Sequence, residues 1–202
     1  MKKYKFFLNF EKEEKWLNQM AVQGYLFHKK SWGYHFRKAD IPKTTFKIDY
    51  RKFKNQHDFL DYVSMFEDSG WLHIAGTKSS GVQYFKKEIT GSDEDIFSDD
   101  RSRAGRYKRI SNMWLTCELI FVAIFIVLKS QGMISIQTLL TPKSWYLTPG
   151  LWELNGAGFL WCFLFETPFA LFRGCSWLLC IFFIIMYGVF AFKSEMQYNK
   201  KS

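Results

Sequence analysis

The sequence predicts an α+β protein. An N-terminal domain of two tandem β-α-β-β units, an antiparallel sheet with two helices, is followed by transmembrane α-helices, two or three of them. Three observations carry this reading. Charge gathers in the first half of the chain and apolar residues in the second, although the mean hydropathy is near neutral. The stretch from Trp114 to Leu128, WLTCELIFVAIFIVL, is too apolar for water. Residues 1–90 can be laid on themselves as two similar halves.

In the alignment of the halves, Phe10, Trp16 and Leu17 correspond to Phe53, Phe59 and Leu60. Gly24-Tyr25-Leu26 corresponds to Gly70-Trp71-Leu72, and Phe36-Arg37-Lys38 to Phe85-Lys86-Lys87. The second copy is expected to carry about three more residues in its helix. Tyr4–Phe10 and Thr45–Arg51 are short and rich in aromatic or β-branched residues, which predicts strands. Glu11–Gln23 places Trp16, Leu17, Met20 and Ala21 on one helical face, with carboxylates in its first turn and Gly24 as a stop. Phe59, Leu60, Val63, Phe66 and Gly70 repeat the pattern. Paired strands follow each helix, near Tyr25–Lys30 and Trp32–Lys38, then Trp71–Ala75 and Val82–Lys87. The two helices are expected on one face of one sheet.

The phrases EKEEKWLNQMAVQGY, FKIDYRK and MFEDSGW, then a strand ending in YFKK and apolar helices, resemble the DUF2812 family over roughly residues 1–110. The resemblance implies a small bacterial protein of the inner membrane, multi-pass, with its N-terminal domain in the cytoplasm. Such proteins are often encoded beside PadR-type regulators, so a PadR-type regulator or another membrane protein is the implied partner. It implies no catalytic residues, because the family has no established activity. Duplicated units of this kind are also similar to GyrI-like effector domains, where aromatics and a carboxylate line a groove between the copies. Trp16, Trp32, Tyr34, Tyr50 and Trp71 are the groove candidates here; core packing is the alternative for each. Asp49 and Arg51 share a strand face, either as a ligand-binding pair or as a solvated ion pair.

The four histidines show no metal-ligand spacing, and Cys117, Cys162, Cys175 and Cys180 lie in apolar segments without CxxC spacing. No metal site, cofactor or disulfide framework is expected. No nucleophile–base pair or phosphate loop appears, so no enzymatic activity is expected. The N-terminus carries too short an apolar run for a signal peptide.

Residues 91–109 read as an acidic linker followed by a basic collar of Arg101, Arg103, Arg106, Lys108 and Arg109. The collar fits positive-inside topology and attraction to anionic lipids at the cytoplasmic face. The net charge of +9 raises nucleic acid as a partner, but no binding motif accompanies it and none is expected. Residues 110–129 form the first predicted span, of which Ile110–Leu128 covers about 28 Å at 1.5 Å per residue. Glu118 lies inside it, either functional or paired between helices. Residues 130–158 read as an extracytoplasmic loop, and 175–192 as a second span before a basic cytoplasmic tail, 193–202. Residues 159–173 contain Glu166 and Pro168 and end at Arg173-Gly174. They form an interfacial or re-entrant segment in the two-span reading. In the three-span reading they are a further span, with a turn at Arg173-Gly174. Glu166 and Arg173 share a helical face and can pair with each other or with Glu118. The functional expectation is a cytoplasmic sensory or binding module tethered to the membrane and linked to transcriptional regulation. The alternative is an accessory subunit of a membrane complex, using Glu118, Glu166 and Arg173 for helix contacts.

Overall fold

The computed structural model describes residues 1–38, 44–88, 95–132 and 141–201. The expected linker at 89–94 and the expected loop at 133–140 lie outside the described residues. The chain divides into two compact units, one of residues 1–112 with 190–202 and one of residues 113–189.

The first unit contains the duplication. The order is β1 (Lys2–Lys3), α1 (Phe10–Val22), β2 (Tyr25–Lys30) and β3 (Tyr34–Lys38), then β4 (Thr44–Tyr50), α2 (Gln56–Asp68), β5 (Leu72–Ala75) and β6 (Val82–Glu88). Both helices have 13 residues, start after an asparagine (Asn9, Asn55), and end two residues before a glycine of positive φ, Gly24 at 79° and Gly70 at 80°. The second copy's extra residues therefore precede its helix and do not lengthen it. Asn9 Oδ1 accepts from the Lys12 N–H at 3.1 Å, while Asn55 makes no such cap bond.

The expected single sheet is instead two three-stranded antiparallel sheets, ordered β1-β3-β2 and β4-β6-β5. The reason is repeated in both copies. β2 slips register between Phe27 and Lys29, and β5 slips between His73 and Ala75. Each slip inserts one residue, His28 or Ile74, and twists the strand away from a continuous ladder. The expected first strand at Tyr4–Phe10 is absent and β1 precedes it at Lys2–Lys3, because the chain turns to enter α1 at the Asn9 cap.

The helices do not share one face. β6 points Tyr84 toward α1 and Phe85 toward α2, as alternation on a strand requires. Phe27 links the sheets, with ring centroids 6.0 Å from Phe46 and 5.1 Å from Tyr84. On the other face of the β4-β6-β5 sheet, Tyr62, Phe66, Trp71 and Phe85 form an apolar cluster joined by Ile96.

α3 (Asp100–Ser130) is one helix of 31 residues, beginning inside the segment expected to be linker and collar. Two short 3₁₀ turns, Pro142–Trp145 and Leu151–Glu153, precede α4 (Gly156–Asn199). α4 runs without a break through Pro168 and Arg173-Gly174. Residues 159–173 are therefore neither a separate segment nor one arm of a turn. At 1.5 Å per residue α4 is about 66 Å long, roughly twice a hydrocarbon core. Two stretches, Asp100–Ser130 and Trp177–Asn199, are long and apolar enough to cross a membrane.

Candidate functional site

In α1, Phe10, Glu13, Glu14, Leu17 and Met20 follow helical spacing and are all buried. Two carboxylates thus sit in the apolar stripe, and each must find donors.

Glu13 Oε1 accepts from two tyrosine hydroxyls, Tyr34 at 2.6 Å and Tyr84 at 2.7 Å. Tyr34 comes from β3 and Tyr84 from β6, so one carboxylate joins both repeats. Burial pushes its pKa above the ordinary value, with the hydroxyls opposing. The same burial and the neighbouring Glu13 push both tyrosines up. Lys30 lies 3.0 Å from the Tyr34 ring centroid, and burial lowers its pKa to about 8 against the pull of Glu13.

Glu14 faces the outer edge of β4, an edge strand whose outward backbone groups lack a neighbouring strand. Side chains satisfy that edge. Asn18 Oδ1 accepts from the Phe46 N–H at 2.7 Å, and its amide donates to the Phe46 carbonyl at 3.4 Å. Glu14 Oε1 accepts from the Ile48 N–H at 3.0 Å. Arg106 of α3 donates to Glu14 and to the Ile48 carbonyl, and Arg109 donates to the Tyr50 carbonyl. Burial raises the Glu14 pKa and Arg106 opposes it.

α3 therefore lies along β4 and pairs with it through arginines three residues apart. Arg103 meets Asp95 at 2.8 Å, where Lys47 also binds at 2.9 Å. Arg106 is 1% exposed and its guanidinium is ringed by Phe10, Phe97 and Tyr107 at 5.1–5.3 Å. Arg109 reaches the buried Asp49 at 2.6 Å, which also accepts from Tyr62 at 2.8 Å. The base of α4 joins the same unit: Lys108 pairs with Glu195 at 2.6 Å, and Ser111 donates to the Ala191 carbonyl at 3.1 Å.

This corrects several expectations. Within the collar, Arg106 is internal and Arg103, Lys108 and Arg109 are ion-paired inside the unit; Arg101 is exposed. The partner of Asp49 is Arg109, while the Arg51 guanidinium lies over the Phe53 and Tyr62 rings. Four of the five aromatic candidates take part in packing. Trp16 packs on Tyr34 at 4.8 Å, Tyr50 on Phe10 at 6.3 Å, and Trp71 belongs to the α2 cluster. Trp32 is 93% exposed on the β2–β3 turn.

Glu13 and Glu14 are the residues that sequence reasoning missed. Their signal was present: they occupy the i+3 and i+4 positions between Phe10 and Leu17. The three-residue spacing of Arg103, Arg106 and Arg109 was the matching signal.

In the other unit, Glu166 accepts from Arg173 at 2.7 Å and from the Thr148 N–H at 3.0 Å, and also from the Leu147 N–H and the Thr148 hydroxyl. Of the two expected arrangements, Arg173 and Glu166 pair with each other. Glu118 lies against Gly188, where an added Cβ would come within 3.0 Å of its Oε1.

Among the described residues no group of three His, Cys, Asp or Glu side chains is placed to hold a metal. The buried acids Glu13, Glu14 and Asp49 meet internal donors, so the arrangement is that of a joint between elements.

Fold and site together define a class: a duplicated β-α-β-β domain joined by the buried Arg106 and its neighbour Arg109 to the start of a long apolar helix. The chain belongs to the family described as "Protein of unknown function (DUF2812)", whose model matches residues 9–119, more than half of the 202. The matched span opens at the Asn9 cap and runs past Arg109 into the apolar part of α3. Neither the curated proteins nor the solved structures offer a match to this chain.

Proposed function

We propose that this protein is a non-catalytic, membrane-anchored binding module. Its duplicated domain lies in the cytoplasm, α3 and α4 cross the bacterial inner membrane, and the domain serves regulation by holding a soluble partner. The observation that carries the reading is the Arg106–Glu14 and Arg109–Asp49 joint. A buried ion pair is a poor way to gain stability, but it fixes one geometry. Here it fixes where the first turns of α3 lie along β4. A PadR-type regulator is the partner that the family resemblance suggests. The accessory-subunit reading draws less support, because Glu166 and Arg173 satisfy each other.

The test is purification of the tagged full-length chain in mild detergent, with identification of the proteins that remain bound. A DNA-binding regulator retained by the wild type and lost by Arg106→Ala is the expected result. Retention of integral membrane proteins alone, unchanged by that substitution, overturns the reading in favour of the accessory role. Membrane insertion is checked separately by resistance to alkaline carbonate extraction.

A further inference from the structure

Four connections of the first unit gather at one end: residues 4–9, 31–33, 51–55 and 76–81. The 31–33 turn abuts the first of them, since a Cβ on Gly33 would lie 2.9 Å from the Lys3 carbonyl and 3.3 Å from the Tyr4 ring. The other two are laced together: Arg51 N–H donates to the Gly81 carbonyl at 2.8 Å, and Phe53 N–H to the Lys78 carbonyl at 2.8 Å. Phe10 joins the pairs, with its ring 6.3 Å from Tyr50 and 5.2 Å from Tyr107.

The direction of this end is set by α3. Its arginines climb β4 from Lys47 and Asp95 to Ile48 and then Tyr50, so the apolar run starting at Ile110 begins at this same end. The Phe6 ring lies 6.1 Å from that of Phe190, in the apolar part of α4. The four connections read YKFFLN, SWG, RKFKN and GTKSSG. They carry Lys5, Arg51, Lys52, Lys54 and Lys78, all exposed, and no carboxylate. Asp58 and Asp61 of α2 line a pocket together with residues 51–55. Three large rings stand in solvent here: Trp32 at 93%, and Tyr4 and Phe6 at 71% each. The described turns at the other end, Gln23-Gly24 and Ser69-Gly70, carry no cation.

We propose that this end docks flat on the surface of an anionic bilayer. Trp32, Tyr4 and Phe6 enter the interfacial layer, where such rings settle, and the five cations meet headgroup phosphates. Lipid recognition thus moves from the collar, where Arg103, Arg106 and Arg109 are engaged inside the unit, to the loops. Nucleic-acid phosphates would suit the cations equally, but the rings beside Phe190 and the start of the α3 apolar run favour lipid. The proposal rests on the reading that α3 and α4 cross the membrane.

The test uses the full chain in lipid nanodiscs, its four cysteines replaced by alanine, with a nitroxide at Ser31→Cys or, at the far end, Gln23→Cys. In discs with phosphatidylglycerol, collision of the Ser31 label with a water-soluble nickel relaxant should be at least about threefold lower than that of the Gln23 label. The gap should close in pure phosphatidylcholine and in the Lys52→Glu/Lys54→Glu/Lys78→Glu variant. Equal accessibility of both labels in an inserted chain overturns the docking while leaving the anchoring intact. Protection that arises only when a single-stranded oligonucleotide is added overturns it in favour of nucleic acid. A chain that does not insert overturns both readings.

Discussion

α1 and α2 are equivalent elements of one duplication, equal in length and in the glycine that ends them, yet they are buried differently. Counted back from those glycines, Glu14 corresponds to Leu60. Glu14 is 7% exposed and Leu60 is 55% exposed. The acid is inside and the leucine outside, the reverse of their intrinsic preference. The difference is α3, which brings Arg106 to Glu14. A duplicated fold can thus keep one helix as an ordinary apolar packing element and make the other, together with β4 of the second copy, its point of attachment.

The substitution that most directly breaks the contrast is Arg106→Ala. It strands Glu14 in a buried site and removes the donor from the Ile48 carbonyl. The expected loss is about 3–5 kcal/mol. Leu60→Ala at the matching position should stay within about 0.5 kcal/mol. Thermal unfolding of the full chain in detergent compares the two directly. Joint replacement, Arg106→Met with Glu14→Leu, should recover only part of the loss. An apolar pair tolerates the site but leaves both Ile48 backbone groups without partners.

Glu13 sharpens the contrast, because its counterpart is Phe59. Glu13→Ala should cost about 1–3 kcal/mol, limited because the Tyr34 and Tyr84 hydroxyls can bond each other. Glu13→Gln keeps an acceptor for both hydroxyls and removes the charge. Burial raises the Glu13 pKa above its ordinary 4.5. The folded state then holds a proton that the unfolded chain releases, so stability is full below about pH 4.5 and declines as pH rises through the folded pKa. Glu13→Gln should flatten this decline, with Glu14 keeping a residual slope because its pKa is raised too. Melting temperatures from pH 4.5 to 8 would contradict the assignment if wild type and variant fell in parallel.

The difference between the helices was partly legible in the sequence. Strand–helix–strand–strand order, the glycine stops and the apolar faces follow from local patterns, and the structure repeats them. What was hidden is non-local. Whether Glu13 and Glu14 mark a solvated first turn or a buried stripe depends on partners far along the chain, Tyr34 of β3 and Tyr84 of β6 for Glu13 and Arg106 of α3 for Glu14. The division into two sheets turns on a one-residue slip in β2 and in β5, which a period-two pattern cannot register when both neighbours of the slip are usable strand residues. The continuity of α4 through Pro168 and Gly174 ran against the two strongest local signals for a break. The apolar context, and Thr167, which donates back to the Phe163 carbonyl at 2.6 Å, accompany the unbroken helix.

Where the copies agree, substitutions should agree. Gly24→Ala and Gly70→Ala each force a side chain into the left-handed region at φ near 80°. Each should lose about 1–2 kcal/mol. The Cβ at Gly70 would meet only the Lys87 side chain, at 3.5 Å, so strain and not collision sets its loss. A large gap between the two would mean that the turns are not equivalent, weakening the duplication itself.

The smallest effect tests whether attachment lies in the whole arginine row or in its buried members. Arg103 stands one turn before Arg106 and binds Asp95 and Asp100, but its side chain is a third exposed. Lys47 already holds Asp95 at 2.9 Å, and Lys47, Arg103 and the Ile96 N–H together keep the Asp95 pKa low although burial would raise it. Water and Lys47 both replace what Arg103 supplies, so Arg103→Ala should cost less than about 1 kcal/mol and be further masked by salt. Unfolding of Arg103→Ala beside Arg106→Ala at low and high ionic strength separates the cases. If both lose the same amount, attachment is a property of the row as a whole. If only Arg106→Ala falls, attachment rests on the arginine that the α1 carboxylate draws out of water.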